Sequence, residues 1–219
     1  MRLFLAIIIA AFSISSLAFS SEFDRLFLGP SLGVKAGLNG APSLEGRKNG
    51  MAFCGIPEIG MNALYWLSDS SDLAINFDIS YSSYAFEQKS WAGNLSFPQR
   101  YSYLKLGADF YFSQFLAGFG VGFPLNGDIE GNKIDKSILN TIAEIRLAGW
   151  FPVMSDETGT LNIFVQASYM LNGIFDDYPK NDPLLNQLPP SPPYSVTEKY
   201  NPRAVSLSIG FNYLFGLSF

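Results

Sequence analysis

Seven ionisable residues sit on otherwise small, polar sequence faces: Lys35, Glu58, Asp78, Lys105, Asp109, Glu144 and Arg146. Paired carboxylates can divide general acid and general base work, provided an open cleft admits a substrate. Glu58 with Asp78, or Asp109 with Glu144, would be the candidate pairs. Three cations interspersed among four carboxylates favour mutual ion pairing instead. The chain contains no histidine. That removes Ser–His–Asp hydrolysis, Cys–His chemistry and most zinc sites. The segment DIEGNKID sets Asp128, Glu130 and Asn132 at alternate positions, a faint version of a calcium loop. It lacks the downstream bidentate glutamate at the expected spacing. The expectation is a non-enzyme with no catalytic, metal or cofactor site. The formal charge of −5 also argues against a nucleic-acid partner, which needs clustered Lys and Arg.

What positions these charges is a two-residue alternation that recurs along the chain. LFLGPSLGVKAGLN sets Leu28, Leu32, Val34 and Leu38 against Gly29, Ser31, Gly33 and Lys35. LAINFDISYSSY sets Ile75, Phe77 and Ile79 against Asn76, Asp78 and Ser80. YLKLGADFYF, FLAGFGVGF, IAEIRLAGWF and LNIFVQASYML repeat the theme, and the chain ends on AVSLSIGFNYLFGLSF. Side chains on a strand point alternately to opposite faces, so each segment reads as a strand with one apolar and one small or polar face. About eight such segments are present, each roughly the 9–11 residues that cross a bilayer at a tilt. Only Leu214 breaks the alternation of the last one. Short connections are expected around 68–72, 113–114 and 152–159, and long ones at 40–53, 87–99, 124–139 and 173–202. Short turns on one side and long loops on the other suit an up-and-down barrel in an outer membrane.

Bulk composition agrees. Of the 219 residues, 48% are hydrophobic and 15% are charged, against about 25% in ordinary soluble domains. The start, MRLFLAIIIAAFSISSLAFS, has one basic residue, an apolar run and small residues near position 20. It reads as a cleaved secretory signal peptide over 1–20, leaving a barrel domain over 21–219. Its apolar run falls short of the ~20 residues that a spanning helix needs. The single cysteine, Cys54, has no internal disulfide partner and reads as a small wall residue.

Alternation alone does not choose which face is outside. The polar face is mostly Gly, Ser, Ala and Asn, a poor soluble exterior but a good lining for a narrow lumen. Eight bulky apolar faces would be hard to fit inside so small a barrel. Aromatic residues also gather near the strand ends, as interfacial girdles do: Tyr65, Phe112, Phe115, Phe151 and Phe219 toward the short turns, Tyr81, Phe123 and Tyr169 toward the long loops. The expected fold class is therefore all-β, an eight-stranded antiparallel up-and-down transmembrane β-barrel. The seven charges then face the lumen and are expected to form a polar plug.

The signal peptide, the amphipathic strands and the aromatic C-terminus together resemble the small outer-membrane barrels of the OmpA/OmpX type. The resemblance implies a bacterial outer-membrane location with both termini periplasmic. It also implies an assembly signal in the last strand, here Tyr213, Phe215, Leu217 and Phe219, read by the barrel-assembly machinery. No peptidoglycan-binding domain follows, so anchoring to the cell wall is not implied. Candidate surface contacts lie in the long loops: Trp91 and Phe97 in one, and Tyr178, Leu184, Leu185, Leu188, Tyr194 and Tyr200 in the Pro-rich one. The expected role is structural or interactive, through an extracellular ligand or protein met by these loops, with outer-membrane lipid around the wall. The alternatives are a narrow channel for small solutes or ions, or a soluble exported ligand-binding barrel.

Overall fold

The computed structural model describes residues 25–44, 46–68, 72–90, 95–187 and 196–216. Strands β1 (Leu26–Asn39), β2 (Arg47–Phe53), β3 (Glu58–Trp66), β4 (Leu73–Ser90) and β5 (Ser96–Phe112) build the first half. Strands β6 (Phe115–Ile129), β7 (Asn132–Ile134), β8 (Ile142–Ser155), β9 (Gly159–Met170) and β10 (Ala204–Gly216) build the second. Every pairing is antiparallel, and the ring closes where β10 pairs with β1, Val34 opposite Ile209. Both β2 and β3 lie between β1 and β4, so they are two halves of one stave. β7 is a short hairpin partner of β6. The wall is thus an eight-stave antiparallel up-and-down β-barrel.

The alternation sorts the two faces. Phe77, Phe110, Phe119, Leu147, Leu207 and Ile209 point outward, each more than half exposed. Their strand neighbours Asn76, Asp109, Ser206 and Ser208 are buried inside. The apolar belt runs round the whole wall, with Tyr65, Phe112, Phe115 and Phe151 exposed at its short-turn rim. At that rim β5 and β6 are joined by Ser113 and Gln114 alone, both at positive φ, which matches the twist of a two-residue hairpin. β1 begins and β10 ends at the same rim, since Phe27 pairs with both Leu64 and Gly216.

Three expectations need correction. Most strands exceed 9–11 residues, with 18 in β4 and 17 in β5. Three of the four anticipated long loops are correspondingly short: 47–53 is β2, 87–90 and 96–99 extend β4 and β5, and 124–134 is the top of β6 with the β7 hairpin. The reason is a change of phase above the belt. There Tyr84, Phe86, Tyr101 and Tyr103 point inward and are fully buried, while Glu87, Lys89, Arg100 and Asp128 take the outer face. A strand whose polarity inverts part-way along does not look like a continued strand. Cys54 is also not in a strand. It sits in the break between β2 and β3, donating its N–H to the Lys35 carbonyl at 2.9 Å with Sγ 3.1 Å from the Ser83 carbonyl oxygen.

Candidate functional site

The lumen is stratified. At the short-turn end Leu64, Leu116, Trp150, Phe164 and Leu214 form an apolar cluster. Tyr111 packs between Trp66, edge-on at a centroid distance of 5.5 Å, and Trp150, tilted at 5.9 Å. Leu214, the residue that breaks the alternation of β10, belongs to this inner seal.

Above it the structure brings all seven lumen charges together, each from an inward position of its strand. Glu58 on β3 meets Lys35 on β1 at 3.1 Å and Lys105 on β5 at 2.9 Å. Lys105 also lies 3.3 Å from Glu144 on β8, whose other carboxylate oxygen accepts from the Tyr84 hydroxyl at 2.6 Å. Lys35 sits 4.3 Å from the Tyr84 ring centroid and hydrogen-bonds Ser82. One step toward the turns, Arg146 on β8 binds Asp109 on β5 through Nε and Nη2, each at 2.8 Å, and reaches Asp78 on β4. Asn76 donates to Asp109 at 3.0 Å. Burial makes such pairs obligatory: neither partner can leave without stranding the other in a poorly hydrated interior.

Gly107 shows how tightly this layer is built. A Cβ there would run into the Arg146 guanidinium and the Asp78 carboxylate. Gly107→Ala is expected to cost about 1–3 kcal/mol, as overpacking does. Urea titration of the refolded barrel measures it, and an unchanged midpoint would mean that Arg146 is not held where it stands.

The third layer is an aromatic cap, and here the surface-contact expectation is overturned. Phe97, Tyr178, Leu184 and Leu185 are buried rather than exposed, and Tyr200 packs half-buried against the same cluster. They join Tyr84, Phe86, Tyr101 and Phe175 in one core over the ionic layer. The described part of the connection from β9 to β10, with its short helix α1 (Pro183–Gln187), folds back into the mouth instead of standing clear of it. Its apolar side chains find more buried surface against the inward aromatics of β4 and β5 than they would in water. Arg47 pins it, donating to the Leu184 carbonyl and to Gln88, each at 3.3 Å. Burial pushes the Asp182 carboxyl above its usual range, against the opposing pull of the Leu184 amide and Arg47. The stability linked to this group is complete below the ordinary carboxylate pKa and is lost as pH rises through the raised value. Trp91, Leu188 and Tyr194 lie outside the described residues, as do Leu217, Phe219 and residues 1–20, the segment expected to be a signal peptide.

Sequence reading missed Asn201, the clasp of this cap. It is fully buried, accepts from the Phe175 N–H at 3.1 Å, and donates to the Phe175 carbonyl and to Glu198, each at 2.7 Å. Asn201→Ala would strand the Phe175 N–H, at about 1–3 kcal/mol for a buried orphan, and leave the Phe175 carbonyl with Asn140 alone at 2.9 Å. The expected result is faster proteolytic cleavage within 173–202 with the eight-stave wall still intact. Equal cleavage rates would refute the clasp.

The other singled-out residues have plain places. Asp128 accepts from the Gly131 N–H at 3.0 Å, closing the β6–β7 hairpin. Tyr213 and Phe215 stack at 4.5 Å on the short-turn rim, and the Tyr213 hydroxyl pairs with Thr158 at 2.8 Å. Every lumen carboxylate has a cationic partner, and the polar cavity among them is about 40 Å³. That volume holds a few waters, not an organic substrate.

Comparison with known proteins adds the following. No family model and no curated protein matches the chain. Solved structures do match it. One is Neisserial surface protein A, at 13% identity and TM-score 0.37, over 86% of this chain and 96% of that one. A second is the outer membrane protein AlkL, solved in lipid bilayers, at 14% identity and TM-score 0.39, over 92% and 96%. A third is the outer membrane protease OmpT of Escherichia coli, at 10% identity and TM-score 0.32, over 90% and 98%. At these scores the likeness carries no argument about activity, and the barrel stands on its own strand register.

Proposed function

We propose that the chain is a non-enzymatic bacterial outer-membrane barrel, closed to solutes, that presents a capped end at the cell surface. The observation that supports this is the unbroken outward belt of Leu, Ile, Val and Phe on a ring with no free edge. Lipid offers the backbone no hydrogen bonds, so a spanning sheet must close on itself, as this one does. In water the same belt would be a large exposed apolar patch. The short-turn rim, where β1 begins and β10 ends, is then periplasmic. Tyr213 and Phe215 are the described part of the signal offered to the assembly machinery.

The three lumen layers, an apolar cluster, a set of buried ion pairs and an aromatic core, support closure to solutes. Among the described residues, partners are offered the charged outer surface above the belt, around Lys48, Glu87 and Lys89 of β2 and β4 and the β6–β7 hairpin. Two measurements test the proposal. The refolded protein should migrate differently on a gel before and after boiling, and planar bilayers containing it should stay silent. Full solubility without detergent would refute the membrane assignment. Stable single-channel conductance would refute the closed lumen.

A further inference from the structure

Among the described residues, the ionic layers of the lumen carry four carboxylates and three cations. Lys35 and Lys105 balance Glu58 and Glu144, but Arg146 alone faces both Asp78 and Asp109. The surplus negative charge is therefore localised in the layer nearer the turns. An unmatched charge in a closed, low-dielectric interior is strongly disfavoured. Beside that surplus lies the cavity of about 40 Å³, whose lining includes the cations Lys105 and Arg146 and the carboxylate of Glu58, and which is bordered by Asp78, Asp109, Asn62, Asn76, Ser80 and Asn212. The last four are each more than nine-tenths buried, and each has a polar atom without a partner: Asn62 Nδ2, Asn76 Oδ1, Ser80 Oγ and Asn212 Nδ2. Two of these amides are fixed in orientation. Asn76 spends its nitrogen on Asp109 at 3.0 Å, which leaves its oxygen free as an acceptor. Asn212 spends its oxygen on Asn162 at 2.8 Å, which leaves its nitrogen free as a donor.

Buried polar groups in folded proteins are nearly always satisfied, so four orphans around one cavity call for an occupant. We propose that the cavity binds one monovalent cation of sodium size together with one or two waters. Asp78, Asn76 Oδ1 and Ser80 Oγ supply oxygen ligands, and the Asn62 and Asn212 amides hold the waters. The charge of the ion matches the surplus carboxylate. The volume admits about three water-sized spheres, which suits an ion and its residual shell and excludes an organic cation. A divalent ion fits less well. Among the described residues no three acidic, Cys or His groups converge on such an ion, and both aspartates are already shared with Arg146. This site depends on the barrel and its lumen, not on the membrane assignment.

The test compares thermal unfolding of the full chain, refolded in detergent micelles, in sodium chloride and in choline chloride at equal ionic strength and pH. Sodium is the probe, and choline is too large to enter. The midpoint should be higher in sodium and should saturate with its concentration. Asp78→Asn should remove the difference between the two salts. Ser80→Ala, a milder change away from Arg146, should demand about tenfold more sodium for the same gain. If Asp78→Asn does not refold, the serine variant and sodium-23 relaxation of the folded wild type decide. Superimposable curves in the two salts would overturn the proposal. So would a sodium effect that both variants retain, since the ion would then lie elsewhere. A midpoint that ignores cation identity but follows pH through neutrality would assign the surplus charge to a shared proton and overturn it as well.

Discussion

Glu58→Gln is expected to lower the stability of the folded barrel by about 3–5 kcal/mol, the cost of breaking a buried ion pair from one side. Glu58 is the anion that both lumen lysines share, at 3.1 Å for Lys35 and 2.9 Å for Lys105. Without its charge, two ammonium groups are left with Glu144 alone. Glutamine keeps the shape, so the loss reports the charge and not a cavity. Urea unfolding of the refolded protein in lipid vesicles measures it. Adding Lys105→Met should return part of the stability, because Lys35 and Glu144 then balance. A loss below about 1 kcal/mol would place the pair in the solvent-screened class and would argue for a hydrated, open lumen. The same experiment therefore bears on whether the barrel conducts.

Ile209→Arg should cost about 2–4 kcal/mol in lipid vesicles, the price of an arginine facing lipid near the midplane. Ile209 is 53% exposed and lies in the belt opposite Val34 on one side and Val165 on the other. On a soluble surface the same change would fall within about 0.5 kcal/mol of neutral. Glu87→Gln, on the outer face above the belt, is the internal control and should stay within that range. If Ile209→Arg is as mild as the control, the belt does not face lipid and the membrane proposal fails. Because the two sites share one sheet and one outward face, the comparison isolates the surrounding medium from the fold.

Much of the wall was legible because its information is local. A strand repeats every two residues, so parity alone assigns Val34 and Ile209 to one face and Lys35 and Ser208 to the other. The same parity puts the seven charged residues on the inner face, and the ring of antiparallel neighbours then brings them within contact. Leu214 stood out as an exception by the same rule, and it now has a role in the inner seal.

The cap was not legible, and the reason is physical. Tyr178, Leu184 and Leu185 looked like exposed loop residues because a Pro-rich connection has no period to read, and Phe97 did because the inverted polarity of β5 hid the strand that carries it. Whether they meet water or other side chains depends on Tyr84, Tyr101 and Phe86, which lie far away in sequence. Those aromatics were themselves concealed by the phase inversion, since β4 and β5 turn their apolar residues inward once they leave the belt. Asn201 gave no signal at all, because its task is to satisfy the backbone of Phe175 and only the folded chain sets the two side by side.

The sequence by itself determined the closed amphipathic wall, since alternation, strand number and the absence of histidine are properties of the chain order alone. The tertiary structure decided that an apolar cluster lies at one end of the lumen and an aromatic core at the other, that one stave is broken at Cys54, and that one carboxylate is left over beside a polar cavity. These depend on which distant side chains share a layer, and layers are set by the register with which the ring closes, not by any local period.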